Sequence, residues 1–254
     1  MIQIDLREQH ILVTGASDGI GREIALFLMK MGAKVAIHYH KNKSAAEEML
    51  RMFPETNSQI FKADFSDPSE VVKLWNEISK EFNRIDTSVL YAGVFLKHPA
   101  TGTDKDGFAI WKKTMSLNLD AAGLLTKMGI DHFGSHQGGR FIYIASRAVF
   151  RGETEEYLAY AASKGGMVSL GRSVARSFGK RNIKAFILAP GFTKTKMAEQ
   201  FIEDHGEKRL IDELALPELT TPKDIAPLVG FMCSGMMDHA TGATIDVNAG
   251  SHIR

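Results

Sequence analysis

The sequence predicts an α/β fold: one doubly wound domain over residues 1–254, with a parallel seven-stranded sheet flanked by helices. Three observations predict it. Short, apolar, β-prone runs alternate with helix-periodic segments along the whole chain, which gives right-handed crossovers and a sheet covered on both faces. A glycine-rich turn, Gly15-Ala16-Ser17-Asp18-Gly19-Ile20-Gly21, stands between the first strand and the first helix. No linker, repeat or low-complexity stretch divides the chain.

The elements follow in order. Ile11-Leu12-Val13 is a strand running into Thr14 and the glycine turn. A helix follows, with Ile24, Ala25, Phe27, Leu28 and Met31 on its apolar face and Gly32 at its end. Val35-Ala36-Ile37 is the second strand, Ser44 to Met52 a helix, and Gln59-Ile60-Phe61 the third strand. Ser66 or Asp67 caps the next helix, Pro68 sits in its first turn, and Val71, Val72, Leu74, Trp75 and Ile78 are its apolar positions. Thr87 to Tyr91 is a strand stopped by Ala92-Gly93. A long helical region runs from Asp106 to His132. Gly139–Ala145 and Ile183–Leu188 are the fifth and sixth strands, a helix opens at Thr221-Pro222, and Thr244–Val247 closes the sheet.

Composition excludes several classes. The chain of 254 residues can bury a core without disulfides. Hydrophobic residues are 44% and charged residues 24%, the balance of a globular protein. A net charge of +1 without one-signed blocks gives no nucleic-acid footprint. Cys233 is the only cysteine, so no internal disulfide forms, and it reads as a small buried hydrophobe. His38 and His40 alternate on a strand but lack a carboxylate partner, so no metal site is expected. Met1 to Arg7 lacks a secretion pattern, and no run approaches the ~18 apolar residues of a membrane span. A cytoplasmic location and no membrane partner are expected.

The glycines carry the first chemical inference. Without side chains they let the backbone approach a pyrophosphate, and the helix N-terminus behind them supplies N–H groups and positive dipole. Ligands of a doubly wound sheet lie at the carboxyl ends of its strands. That rule gathers Gly15–Gly21, Tyr39-His40-Lys41, Asp64-Phe65, Ala92-Gly93, Ser146 and Pro190-Gly191 at one edge. Tyr160 and Lys164 are four apart on a helix that starts there, so they share a face. An ammonium beside a phenol favours the phenolate, and a fall in the Tyr160 pKa toward neutrality is expected.

With these residues in place, the chain resembles the short-chain dehydrogenase/reductase family over nearly its whole length, in the style of 3-oxoacyl-carrier-protein reductases. Thr14-Gly15-x-x-x-Gly19-Ile20-Gly21 looks like the family's Rossmann cofactor loop, with Ser17 inside it. Asp64 and Phe65 match the adenine-contacting positions, and Pro190-Gly191-x-Thr193-x-Thr195 the segment that holds the nicotinamide carboxamide. Asn118, Ser146, Tyr160 and Lys164 match the catalytic tetrad. The resemblance implies hydride transfer between a nicotinamide cofactor and a carbonyl or secondary alcohol. Tyr160 would move the proton, Ser146 hold the reacting oxygen, Lys164 hold the ribose, and Asn118 hold a water. It also implies a small-molecule substrate and a homo-oligomer, a tetramer or dimer, through the helices around 106–132 and 159–178. A nicotinamide-dependent sugar or polyol dehydrogenase is an alternative, as is a non-catalytic nucleotide sensor or scaffold.

Departures from the family pattern are informative. Tyr91 stands where the family usually has asparagine and would narrow the cleft. Asp18 stands where many NADP-dependent members carry a basic residue, or else caps the helix. Ala249-Gly250 replaces a pair of glycines and is expected to be neutral. The loop after Ser146, with Arg147, Arg151, Glu153, Glu155 and Glu156, is a residue longer than in many members, and it forms either a solvated loop or a charged rim. Residues 192–219 look like a substrate lid, with Met197, Phe201, Ile202, Leu210, Ile211, Leu214 and Leu216 at helical intervals. Its Lys194, Lys196, Lys208 and Arg209 are too mixed with acids to form a basic dock. The second strand ends in Tyr39-His40-Lys41 where an NAD enzyme carries a carboxylate, so NADP(H) is favoured over NAD(H).

Overall fold

The computed structural model describes residues 4–98, 104–196, 202 and 206–254. Its sheet has seven strands: β1 His10–Val13, β2 Lys34–Tyr39, β3 Gln59–Lys62, β4 Thr87–Leu90, β5 Gly139–Ile144, β6 Ile183–Pro190 and β7 Thr244–Val247. Their order is β3-β2-β1-β4-β5-β6-β7, and every pairing is parallel. The chain winds outward from β1 in one direction and from β4 in the other. Val13 is in register with Ile37 on one side and Val89 on the other. The crevice of the fold therefore opens above the β1–β4 boundary, where the crossovers reverse.

Helices α1 Gly19–Lys30 and α2 Lys43–Met52 follow β1 and β2, and α3 Pro68–Phe82 follows β3. Asp67 rather than Ser66 caps α3, its carboxylate accepting from Ser69 N–H at 2.8 Å. Val71, Leu74, Trp75 and Ile78 are buried, each adding about 1.5–3 kcal/mol of apolar burial. Val72, expected among them, is 40% exposed, because one residue past Val71 turns it off the buried stripe. The long helical region is broken into α4 Asp104–Met115, a π turn at Ser116–Asp120 and α5 Ala121–Ser135. The short α6 Ala148–Arg151, the long α7 Leu158–Phe178, α8 Glu207–Ile211 and α9 Pro222–Cys233 complete the described helices.

Two apolar clusters sandwich the sheet. One holds Ile11, Val13, Ile24, Leu28, Ile37, Ile225 and Val229; the other holds Leu12, Leu74, Leu125, Phe141, Tyr143, Met167 and Ile187. Helices α1 and α9 interlock where Gly230 leaves room for Phe27; a Cβ there would lie 2.5 Å from the ring. Cys233 is fully buried in the first cluster, and burial pushes its thiol up to about 12, so it is inert packing as expected. Among the described residues, no helix is long and apolar enough to cross a membrane and no group of His, Cys, Asp or Glu could hold a metal ion.

Candidate active site

Two adjoining cavities open at the carboxyl edge of the sheet. The larger, about 580 Å³, is lined by Gly15, Ser17, Gly19, His40, Lys41, Asp64, Phe65, Ala92, Gly93 and Thr195 from the sequence-predicted set. Gly15 and Gly19 have φ of +67° and +53°, conformations that L side chains rarely adopt. Gly21 lines neither cavity. A Cβ there would strike Gly15 O at 2.4 Å, so this glycine lets α1 close onto its own turn. Asp18 caps α1, accepting from Gly19 N–H at 2.7 Å, and also lines the larger cavity.

His38 braces the turn from below. Its Nδ1 accepts from Gly15 N–H at 3.0 Å, which leaves Nε2–H to donate to Ala63 O at 3.1 Å. The ring stacks on Phe65 at 4.1 Å, and burial holds its pKa down at about 4, so it is neutral. Both nitrogens are committed inside the protein. His40, two residues on, faces the cavity with Nε2 3.5 Å from the Asp64 carboxylate. Two hydrogen bonds from Ser66 hold Asp64 below the usual carboxylate range. Tyr39, predicted as a cofactor contact, lies outside the cavity. The pleat turns it to the other face, where it is 6% exposed in the core beside α2.

The smaller cavity, about 120 Å³, is lined by Ile20, Ser146, Tyr160, Lys164, Pro190, Gly191, Thr193 and Thr195. Ser146, just past β5, lines the cavity with Tyr160 and accepts from Ala148 N–H at 3.1 Å. Phe95 stacks on Tyr157 at 3.9 Å and meets Tyr160 edge-on at 4.7 Å, which fixes the ring. The predicted fall in the Tyr160 pKa is not found. Burial pushes it up to about 12, against the opposing effect of Ser146. Lys164 Nζ instead donates to Ile144 O at 2.8 Å and touches Met167 Sδ at 3.5 Å, and burial lowers its pKa to about 8. In this state the phenol is a neutral acid and the lysine is held by the end of β5.

Asn118 lies behind the cavity wall. Its Oδ1 accepts from Val94 N–H at 2.7 Å, and its Nδ2 donates to Val94 O and Ser163 Oγ, each at 3.0 Å. Ser163 in turn donates to Tyr160 O at 2.8 Å. Asn118 sits in the π turn, a feature that recurs at functional sites. Both of its N–H groups are committed to protein atoms, so the expected water-holding role does not fall to its donors. Gly93 gives it room; a Cβ there would lie 2.7 Å from Oδ1.

Sequence patterns missed Val94 and Phe95, which with Phe192 add apolar surface to the smaller cavity, while Arg147 and Glu153, foreseen as one reading of their loop, add charge. Arg147 is 7% exposed, with Nη2 3.6 Å from Glu213; Arg151 also reaches Glu213, at 2.7 Å. Burial lowers the Arg147 pKa and raises that of Glu153. The loop after Ser146 thus brings a charged rim into the site at Arg147 and Glu153, while Glu155 is exposed and Glu156 pairs with Lys97 at 3.8 Å. Lys113 and Lys196 join Lys41 around the larger cavity. Their isolated positions in sequence gave no signal. Within residues 192–219, Leu210 is buried and Leu216 is 57% exposed; Met197 and Phe201 lie outside the described residues.

These residues fit a nicotinamide dinucleotide. The glycine turn, with Gly15 and Gly19 at positive φ, brings the backbone N–H groups and dipole of the α1 N-terminus to the cavity edge, where an oxygen-rich diphosphate would sit. The larger cavity suits an adenosine half and places cations around it. The smaller one joins Ser146, Tyr160 and Lys164 to the Pro190–Thr195 segment.

Comparison with known proteins agrees. Residues 15–252 match the family model described as enoyl-(acyl carrier protein) reductase. A short-chain type dehydrogenase/reductase of Picea abies is 31% identical, over 94% of this chain and 90% of that protein. A 3-oxoacyl-[acyl-carrier-protein] reductase of Rickettsia conorii is 30% identical, over 97% and 98%. The crystal structure of a dehydrogenase/reductase from Sinorhizobium meliloti 1021 superposes with a TM-score of 0.88 at 27% identity, covering 99% of this chain and 98% of that one. The chain belongs to the short-chain dehydrogenase/reductase family and is an oxidoreductase acting on CH–OH groups with a nicotinamide dinucleotide, NAD(P).

Proposed function

We propose that the protein is an NADP(H)-dependent carbonyl reductase, with a ketone or 3-oxoacyl thioester as substrate. The observation that carries this reading is the gathering of Ser146, Tyr160 and Lys164, with Phe95 walling the phenol, in a cavity adjoining the glycine cradle. The cofactor supplies hydride to the carbonyl carbon. Tyr160 Oη gives its proton to the nascent alkoxide, and the Ser146 hydroxyl donates to the same oxygen and steadies its developing charge. Lys164 carries the cation beside the site and turns from Ile144 O toward the ribose hydroxyls. Asn118 acts by positioning, through Ser163 and the backbone of Tyr160.

Preference for the 2′-phosphate rests on His40 and Lys41 at the end of β2, with no carboxylate in that turn. The two acids that line the larger cavity are both engaged, Asp64 by Ser66 and His40 and Asp18 by Gly19 N–H. The substrate cavity has an apolar wall, Val94, Phe95 and Phe192, and a charged one, Arg147 and Glu153. This suits a ketone with an apolar body and a polar end. The charged wall also supports the sugar or polyol reading. Residues 192–219 act as the lid of a single domain working in the cytoplasm. Phe108 on α4, 58% exposed, and Leu158 on α7, 47% exposed, favour a homo-oligomer through those helices.

The test is kcat/KM for NADPH and NADH over ketones, 3-oxoacyl thioesters and keto sugars. NADPH is expected to be preferred, with an apolar ketone or thioester the best partner. A clear NADH preference with keto sugars transfers the assignment to the polyol dehydrogenases.

A further inference from the structure

The side chain of Tyr91 lies between the two cavities and lines both. Thr14 Oγ1, receiving Tyr91 N–H at 3.0 Å and Ala92 N–H at 3.1 Å, fixes its backbone. From there the ring crosses the glycine turn. A Cβ on Gly21 would lie 2.6 Å from its Cδ1, and a Cβ on Gly19 would lie 3.1 Å from its Oη. The phenol oxygen thus lies against the α1 N-terminus, where the helix dipole and backbone N–H groups would meet a dinucleotide's diphosphate. A dinucleotide has to pass from the adenosine-side cavity to the Tyr160 cavity, and the ring stands across that path.

We propose that Tyr91 gates the cofactor site: in the free protein its phenol takes the place of a diphosphate oxygen on α1, and it must swing aside before a dinucleotide can bind. The residue then sets cofactor affinity without touching the reacting atoms. Rotation costs the ring's packing on Gly19 and Gly21, and the apparent dissociation constant rises by the inverse of the open fraction. The adenosine-side cavity lies on one side of the ring, so a ligand confined to it leaves the gate closed. The inference rests on NAD(P) binding across the glycine turn.

Titration calorimetry of wild type, Tyr91→Phe and Tyr91→Asn with NADPH, NADH and adenosine 2′,5′-bisphosphate tests it, with thermal melts confirming that each variant is folded. Tyr91→Asn is expected to bind the better dinucleotide at least tenfold more tightly than wild type. Tyr91→Phe, which loses only the phenol oxygen beside Gly19 and keeps the ring, should fall between. The bisphosphate, which lacks a diphosphate bridge, should bind all three alike. Equal dinucleotide affinities, or weaker binding by both variants, overturn the gate while leaving the cofactor assignment standing. Failure of all three folded proteins to bind either dinucleotide overturns both.

Discussion

Tyr160 lacks the lowered pKa that its spacing from Lys164 suggests, and this shapes what its replacement should do. A phenol pushed up to about 12 is fully protonated at neutral pH and suited to donate in the reductive direction. Tyr160→Phe removes the acid but leaves the Phe95 contact, so kcat should fall about 10²–10⁴-fold while NADPH affinity changes little. Lys164 offers a pH test. Its proton is held by folded and unfolded chains alike below about pH 8; between about 8 and the ordinary lysine value of 10.5 only the unfolded chain holds it. The unfolded chain binds more protons in that window, so the wild type should gain stability there relative to Lys164→Met, by at most about 1.4 kcal/mol per pH unit. Urea unfolding of both proteins from pH 7 to 10 checks this, and a flat difference would contradict it. Ala249, expected to be neutral, has φ of +53°, strained for alanine. Ala249→Gly should relieve the strain and, net of the added chain entropy, stabilise by about 0.5–1 kcal/mol, read as a rise in Tm. Tyr160 and Lys164 were legible in the sequence because helical spacing fixes which face they share. The course of the lysine was not, because the acceptor Ile144 O comes from a strand that local spacing cannot place.

At the scale of elements, the active edge is held by side chains that bridge strands and helices. Thr14 ties the end of β1 to the backbone past β4. Asn118, in the π turn between α4 and α5, ties Val94 to Ser163 and hence to the first turn of α7. Asn118→Ala leaves Val94 N–H and C=O and Ser163 short of a partner each, and should cost about 3 kcal/mol. Displacement of Tyr160 should lower kcat more than it changes KM. Kinetics and urea unfolding on one preparation separate the two effects. The helices here were foreseen as one continuous region, because the apolar periodicity on either side of Ser116–Asp120 has the same period. A π turn adds a residue to the ladder without a composition signal of its own. The strands of the sheet were legible within a residue or two, since buried parallel strands read as apolar runs.

Across the whole molecule, the parallel sheet and the single edge that collects the site followed from βαβ alternation and the glycine turn. The partition of that edge into two cavities did not. It depends on the ring of Tyr91, on the burial of Arg147, and on the lysines of α4 and the lid, which no short motif links. Burial also leaves a global signature. His38 is neutral in the fold, with its pKa near 4 against the ordinary histidine value of 6.5. Between those values the unfolded chain binds the extra proton, so stability should fall as pH drops, by about 3 kcal/mol at pH 4 from this residue. His132, lowered to about 4 as well, adds in the same direction. Urea unfolding at pH 7 and pH 4.5 checks the sign, and His38→Gln should reduce the difference. The most direct test of a reductase built on Tyr160 is NADPH oxidation with the best ketone of the panel, wild type against Tyr160→Phe, with cofactor affinity measured on the same samples. Turnover by wild type, lost by two or more orders of magnitude in the variant at unchanged NADPH affinity, is the expected result; equal turnover by the two proteins would contradict it.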